Sequence, residues 1–183
     1  MAAFCHVVEH AERLDLDPRA IGIGGDSAGG NLSAVLCHEA RERRLPRPAL
    51  QVLIYPATDL GCGSASYRTF ADGYLLTAKA MAWFIEHYLG DTALASDPRA
   101  SPLLNHDFSG LPPALVHTAG FDPLRDEGRA YADRLAAAGS LLGYTCHADL
   151  AHGYWAIAGT VRAARRAIAE VALATGQALR KRV

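Results

Sequence analysis

Along the 183 residues, apolar positions fall into short continuous runs alternating with longer stretches of helical spacing. Phe4, Val7, Val8 and Ala11 recur every three or four residues and predict a helix over Ala2–Leu14, closed by Asp17-Pro18. Ala20–Gly25 reads as a short buried strand, and Asn31–Arg44 as the helix after it. Leu50–Tyr55 is rich in β-branched residues and bounded by prolines, which predicts a second buried strand. Gly61–Asp72 is small and polar, a loop, and Ala78–Leu89 is a helix ended by Gly90. Asp97–Pro113 carries four of the nine prolines and cannot be helical throughout. Ala114–Ala119 predicts a third strand, Arg125–Ala138 an amphipathic helix ended by Gly139, and Leu142–Ala148 a fourth strand. Ala156–Arg180 closes the pattern as a long helix with a possible break at Gly176. Continuous apolar strands alternating with helices predict an α/β fold, about four mostly parallel strands with flanking helices.

Composition narrows the function classes. The chain is 50% apolar and 20% charged, enough for one ordinary domain with a sizeable core. Eighteen basic against 19 acidic residues exclude the broad electropositive face of a nucleic-acid binder. No apolar run approaches the roughly 18 residues of a membrane-spanning helix. Met1–His10 has neither a basic head nor an apolar core, so no signal peptide is expected. Cys5, Cys37, Cys62 and Cys146 have no metal-like or disulfide-like spacing and read as reduced, mostly buried thiols of a cytoplasmic protein.

Gly25-Asp26-Ser27-Ala28-Gly29 matches G-x-S-x-G between a predicted strand and a predicted helix. A nucleophile on such a turn has a strained backbone. Gly25 and Gly29 lack side chains that would collide, and Gly24 and Gly30 extend that allowance. The turn exposes the Ser27 hydroxyl and sets the Ala28 N–H at the start of a helix, where it can face a developing oxyanion. A glycine-rich strand-to-helix turn with an incidental serine is the alternative. A dinucleotide fingerprint fails because Ser27 occupies the third-glycine position, and no Gly-Lys-Ser/Thr follows to make a P-loop.

A serine nucleophile needs a base, and the base needs an orienting carboxylate. Asp122 follows the third strand and His152 the fourth, so Ser27, Asp122 and His152 occur in the order serine, acid, histidine at three strand ends. Asp122-Pro123 also suits a helix N-cap. Asp126 and Glu127 read as first-turn acids favoured by the helix dipole. Gly153 permits a sharp turn after His152, and Tyr154-Trp155 offer an apolar wall.

These segments resemble the hormone-sensitive-lipase-like branch of α/β-hydrolase carboxylesterases. Gly25–Asn31 (GDSAGGN), Tyr55–Asp59 (YPATD), Asp122–Gly128 (DPLRDEG) and His152–Tyr154 match it in order, and Ala100–Leu104 and Leu111–Ala119 fit as well. The resemblance implies a partial α/β-hydrolase fold with Ser27 as nucleophile, Asp122 as triad acid and His152 as general base. It also implies a small-molecule ester as substrate, no cofactor, no metal, and a cap-proximal segment over residues 61–89. The family's upstream His-Gly-Gly-Gly oxyanion motif does not occur here. The expectation is therefore one incomplete catalytic domain over residues 1–183, the C-terminal portion of a carboxylesterase cleaving small to medium acyl esters. Its nucleophile strand is expected to be an open edge that invites self-association.

Other readings stay open. An inactive hydrolase remnant serving as an interaction module would keep the same triad residues. His6-Val7-Val8-Glu9-His10 spells the H-x-x-E-H of zinc metallopeptidases, against the plainer reading of a solvated helix face. His117 and His147, inside strands, are expected to be packed and hydrogen-bonded. Arg41–Arg47 and Arg162–Arg166 read as exposed helix faces, and Trp83, Phe84 and Tyr88 as core.

Overall fold

The computed structural model describes residues 1–180. Its frame is one parallel sheet whose strand order follows the chain: β1 (Ile23–Asp26), β2 (Gln51–Ile54), β3 (Ala114–Phe121) and β4 (Leu141–Ala151). Helices α1 (Ala2–Glu9), α2 (Ala28–Glu42), α3 (Ala65–Thr69), α4 (Ala78–Leu89), α5 (Arg125–Ala137) and α6 (Arg162–Arg180) surround it. Alternation along β2 separates two cores. Leu53 joins Val116, Cys37, Tyr131 and Leu135 beneath α2 and α5. Ile54 and Tyr55 join Ala119, Leu150 and Val171 beneath α6. A smaller cluster packs α4 through Met81 and Ile85 against Leu60, Tyr67 and Leu124.

The central strands match their apolar runs, and β3 is buried at every residue but Phe121. β1 differs from expectation. It is half-exposed, because among the described residues it pairs on one side only, with β2. α4 has the expected bounds: the Thr77 hydroxyl accepts the Ala80 N–H at 3.1 Å, and Gly90 ends the helix with φ +68°.

Several boundaries move. The first helix ends at Glu9, and Glu12–Leu14 is a separate 3-10 turn. The loop after Gly61 contains α3, because the Ser64 hydroxyl caps it by accepting the Tyr67 N–H. α6 begins at Arg162, after a 3-10 turn over Tyr154–Ile157, and runs through Gly176 unbroken. The proline-rich connection is pinned rather than loose. Arg41 donates to the carbonyls of Asp107 and Ser109, and Arg134 to those of Asn105 and His106. Arg41 is therefore tethered, not a freely solvated charge.

Candidate active site

β1 delivers the chain into a tight turn at Ser27, and α2 begins at the next residue, three residues earlier than its apolar spacing indicates. Ser27 has φ 53° and ψ −116°, a conformation that costs a residue with a Cβ roughly 1–3 kcal/mol and persists only where the surroundings enforce it. Its N–H donates to the Ile54 carbonyl at 2.9 Å. Its carbonyl accepts from Asn31 at 3.0 Å and from Ala57 at 3.3 Å. The glycines divide unevenly. A Cβ on Gly25 would strike the backbone of Gly29, and one on Gly30 would lie 2.8 Å from Pro56 Cβ. One on Gly29 would meet nothing within 4 Å, so Gly29 is the surface that Gly25 packs on rather than a relief of its own crowding. Ala28 opens α2 in an exposed position, and its N–H belongs to the first turn, which has no intrahelical acceptors.

Three loops at the carboxyl ends of the strands meet here. The Ser27 hydroxyl lies 2.9 Å from His152 Nε2, and His152 Nδ1 lies 2.8 Å from Asp122 Oδ2. With the proton on Nδ1, the imidazole donates to Asp122 and accepts from Ser27. Asp122 is 0% exposed and His152 8%. Asp122 also caps its turn, Oδ1 accepting the Leu124 N–H at 2.8 Å, so capping and imidazole contact occur in one side chain. Gly153 turns the chain after His152 with φ +76°. Tyr55 packs its ring 4.7 Å from the imidazole and donates its hydroxyl to Asp26 Oδ2 at 3.2 Å. Burial, and then the Asp26 carboxylate, push the Tyr55 phenol well above its ordinary value. The arrangement can deprotonate a serine hydroxyl and stabilise the resulting imidazolium.

Three residues of this neighbourhood escape the sequence reading. Tyr55 is one. Asn31, buried, donates Nδ2 to the carbonyls of Ala57 and Ala100, both at 2.8 Å. Glu127 lies in the first turn of α5 as expected, but it is buried at 3% exposure, and its Oε1 accepts the N–H groups of Thr58 at 2.7 Å and Asp59 at 3.1 Å. Burial pushes its carboxyl up to about 8 despite those two amides. Its position is a usable signal, since Leu124, Glu127, Tyr131 and Leu135 share one helical face.

A cleft of about 380 Å³ opens beside Ser27, walled by Leu32, Leu60, Met81, Phe84, Ile85 and Tyr88. Trp83, Phe84 and Tyr88 are therefore not core: they are 54%, 51% and 60% exposed, and two of them form the cleft wall. A larger groove of about 720 Å³ runs between β1 and α6, lined by residues such as Ile23, Val52 and Leu179, and includes none of Ser27, Asp122 or His152.

His6 and Glu9 are exposed, and His10 Nδ1 engages the His6 carbonyl at 2.9 Å. Among the described residues no group of three or more His, Cys, Asp or Glu side chains could hold a metal ion. His117 and His147 are buried and stacked at 5.6 Å, but His117 has no hydrogen-bond partner for either ring nitrogen, nor has His147 Nε2. The other nitrogen of His147, Nδ1, faces the Glu170 carboxylate of α6 at 3.9 Å. All four cysteines are free, and only Cys37 is buried; Cys146 is exposed because β4 is an outer strand.

The alpha/beta hydrolase fold family matches residues 1–156. The chain belongs to that family. Within the α/β hydrolases its elbow and its DPLRDEG and HGY segments place it in the hormone-sensitive-lipase-like branch. It is 46% identical over 159 residues to the carboxylic ester hydrolase LipN of Mycobacterium tuberculosis (strain ATCC 25618 / H37Rv), covering 84% of this chain and 42% of that one. It is 44% identical over 134 residues to the ethyl acetate hydrolase of Pseudomonas putida, covering 73% and 42%. Among solved structures it is similar to the thermophilic carboxylesterase EstE1 from a metagenomic library, at TM-score 0.92 and 40% identity, covering 97% of this chain and 61% of that one. It is also similar to the ester-hydrolase EH1AB1 from the metagenome of Lake Arreo, at TM-score 0.89 and 45% identity, covering 96% and 56%. The chain spans less than half the length of either relative. No helix among the described residues is long and apolar enough to cross a membrane.

Proposed function

We propose that the chain is the triad-bearing part of a serine carboxylesterase that cleaves small to medium acyl esters. The observation that carries this reading is the unbroken hydrogen-bonded series from Ser27 through His152 to Asp122. On this reading the Ser27 oxygen attacks the ester carbonyl carbon while its proton passes to His152 Nε2. The tetrahedral oxyanion faces the Ala28 N–H and the positive end of α2. His152 returns the proton to the alcohol oxygen as the carbon–oxygen bond breaks, leaving the acyl group on Ser27. A water then gives a proton to His152 and attacks the acyl carbon, and Ser27 leaves with that proton. Asp122 holds the imidazole tautomer and stabilises its charged form, and no metal or organic cofactor takes part.

The cleft supports the choice of substrate. Its uncharged wall of Leu32, Leu60 and the α4 side chains suits an apolar acyl or alcohol group, and two relatives it matches are a carboxylic ester hydrolase and an ethyl acetate hydrolase. Residues 61–89 would then serve as the cap-proximal segment. The free cysteines agree with a reducing, cytoplasmic setting. Among the described residues β1 pairs on one side only, beside an apolar groove, which supports pairing with a second copy, and a monomer in sedimentation at assay concentration would count against that. The test of the reading is hydrolysis of p-nitrophenyl esters of increasing acyl length by the chain and by Ser27→Ala. Ser27-dependent turnover is expected, and equal rates for the two proteins would remove the esterase reading.

A further inference from the structure

We infer that Glu127 is a positioning residue for this reaction, clamping the Ala57–Leu60 segment of the cleft wall against the nucleophile turn. The inference rests on the esterase reading for its chemistry but on its own geometry for its contacts. Glu127 sends one buried oxygen to two consecutive amides, Thr58 and Asp59. The residue just before them, Ala57, donates its N–H to the Ser27 carbonyl, and its own carbonyl is held by Asn31. Directly after them, the Leu60 N–H donates to Ser101 Oγ at 2.8 Å. Ala57 and Leu60 both line the cleft beside Ser27. The segment thus touches the nucleophile's backbone on one side and the substrate space on the other, and Glu127 anchors it between them.

Two acids, one just before α5 and one in its first turn, therefore act on Ser27 from different directions. Asp122 reaches it through His152, and Glu127 through the backbone of Ala57. A plain structural acid at the head of a helix gains its dipole interaction while remaining solvated. Glu127 instead gives up solvent altogether, with Asp59, Cys62, Tyr67 and Asp122 as its titratable neighbours. Its second oxygen has no partner among the described residues. Burying a carboxyl so incompletely satisfied is costly, and what it secures here is the position of a substrate-facing segment.

The test compares Glu127→Met, which fills the space without an acceptor, with Glu127→Gln, which keeps one. Amide hydrogen exchange at Ala57, Thr58 and Asp59 is read beside the rate at which a fluorophosphonate labels Ser27. Glu127→Met is expected to lose protection at these amides and to label about tenfold more slowly or worse. Glu127→Gln is expected to regain protection and most of the labelling rate. Unchanged protection or unchanged labelling in Glu127→Met overturns the inference, as does lost protection in Glu127→Gln, which also decides the matter should the Met variant not fold. Absence of labelling in the unsubstituted chain would instead refute the esterase reading, and the exchange comparison would still decide the clamp.

Discussion

Asp122 divides its two carboxylate oxygens between His152 and its own turn: Oδ2 lies 2.8 Å from His152 Nδ1, and Oδ1 accepts the Leu124 N–H at 2.8 Å. One fully buried group thus sets the imidazole's orientation and its own. Asp122→Asn retains the shape but lets the amide NH₂ face Nδ1, which favours the wrong imidazole tautomer. On the proposed mechanism kcat for ester hydrolysis falls by about 10⁴-fold with little change in KM, as the tautomer argument gives for such triads. Steady-state kinetics on a nitrophenyl ester check this, and a loss confined to KM would contradict it.

The glycines of the elbow should separate by position. Gly25→Ala drives a Cβ into the Gly29 backbone, and Gly30→Ala crowds Pro56. Overpacking of this kind costs about 1–3 kcal/mol or more. Gly29→Ala meets open space in the first turn of α2 and should be neutral or stabilising by up to about 1 kcal/mol. Urea unfolding of the three variants reads the order directly, and a Gly29→Ala as damaging as Gly25→Ala would refute the packing account.

Tyr55→Phe removes the hydroxyl donated to Asp26 and keeps the ring beside His152. Because Asp26 is exposed, the loss in stability should be near the lower end for such bonds, about 1 kcal/mol. Tyr55→Ala, which also strips the ring from the imidazole and from Tyr154, should cost about 3–5 kcal/mol. Chemical denaturation of both variants checks the difference.

Stability should peak near pH 6.5. Burial lowers His38 and His117 from their ordinary 6.5 to about 4, so the unfolded chain binds more protons between those values, and stability is lost as pH falls through that window. Burial raises Glu127 from 4.5 to about 8, so the folded chain keeps a proton the unfolded chain has released, and stability is lost as pH rises through that window. Where the windows overlap, two histidines outweigh one glutamate; above about 6.5 the glutamate acts alone. Unfolding midpoints measured from pH 4 to 9 should fall on the alkaline side of that maximum, and Glu127→Gln should flatten that side. An unchanged alkaline limb in Glu127→Gln would show that Glu127 does not titrate there.

The sheet was legible because β2 and β3 fall in mostly apolar runs bounded by turn residues, and the Ser27, Asp122 and His152 positions because each follows a strand end in a recognisable order. What escaped depends on neighbours distant in sequence. Glu127 carries the same signal as any first-turn acid until its place on the buried face of α5 is considered. The spacing of Phe84 and Tyr88 serves a core and a cleft wall equally well. The run at β1 looks buried, yet its exposure is set by what lies beside it rather than by its own residues. Gly176 is a weak stop signal, since a glycine within a helix costs only about 1 kcal/mol, and the rest of α6 outweighs it.

The central claim is that Ser27 is a nucleophile activated by His152. The most direct measurement is intact-mass and peptide-level mass spectrometry after exposure to a fluorophosphonate, with His152→Ala alongside. The account predicts one adduct per chain, on Ser27, formed far more slowly in His152→Ala. No adduct, an adduct on another residue, or equal labelling of the two proteins would contradict it.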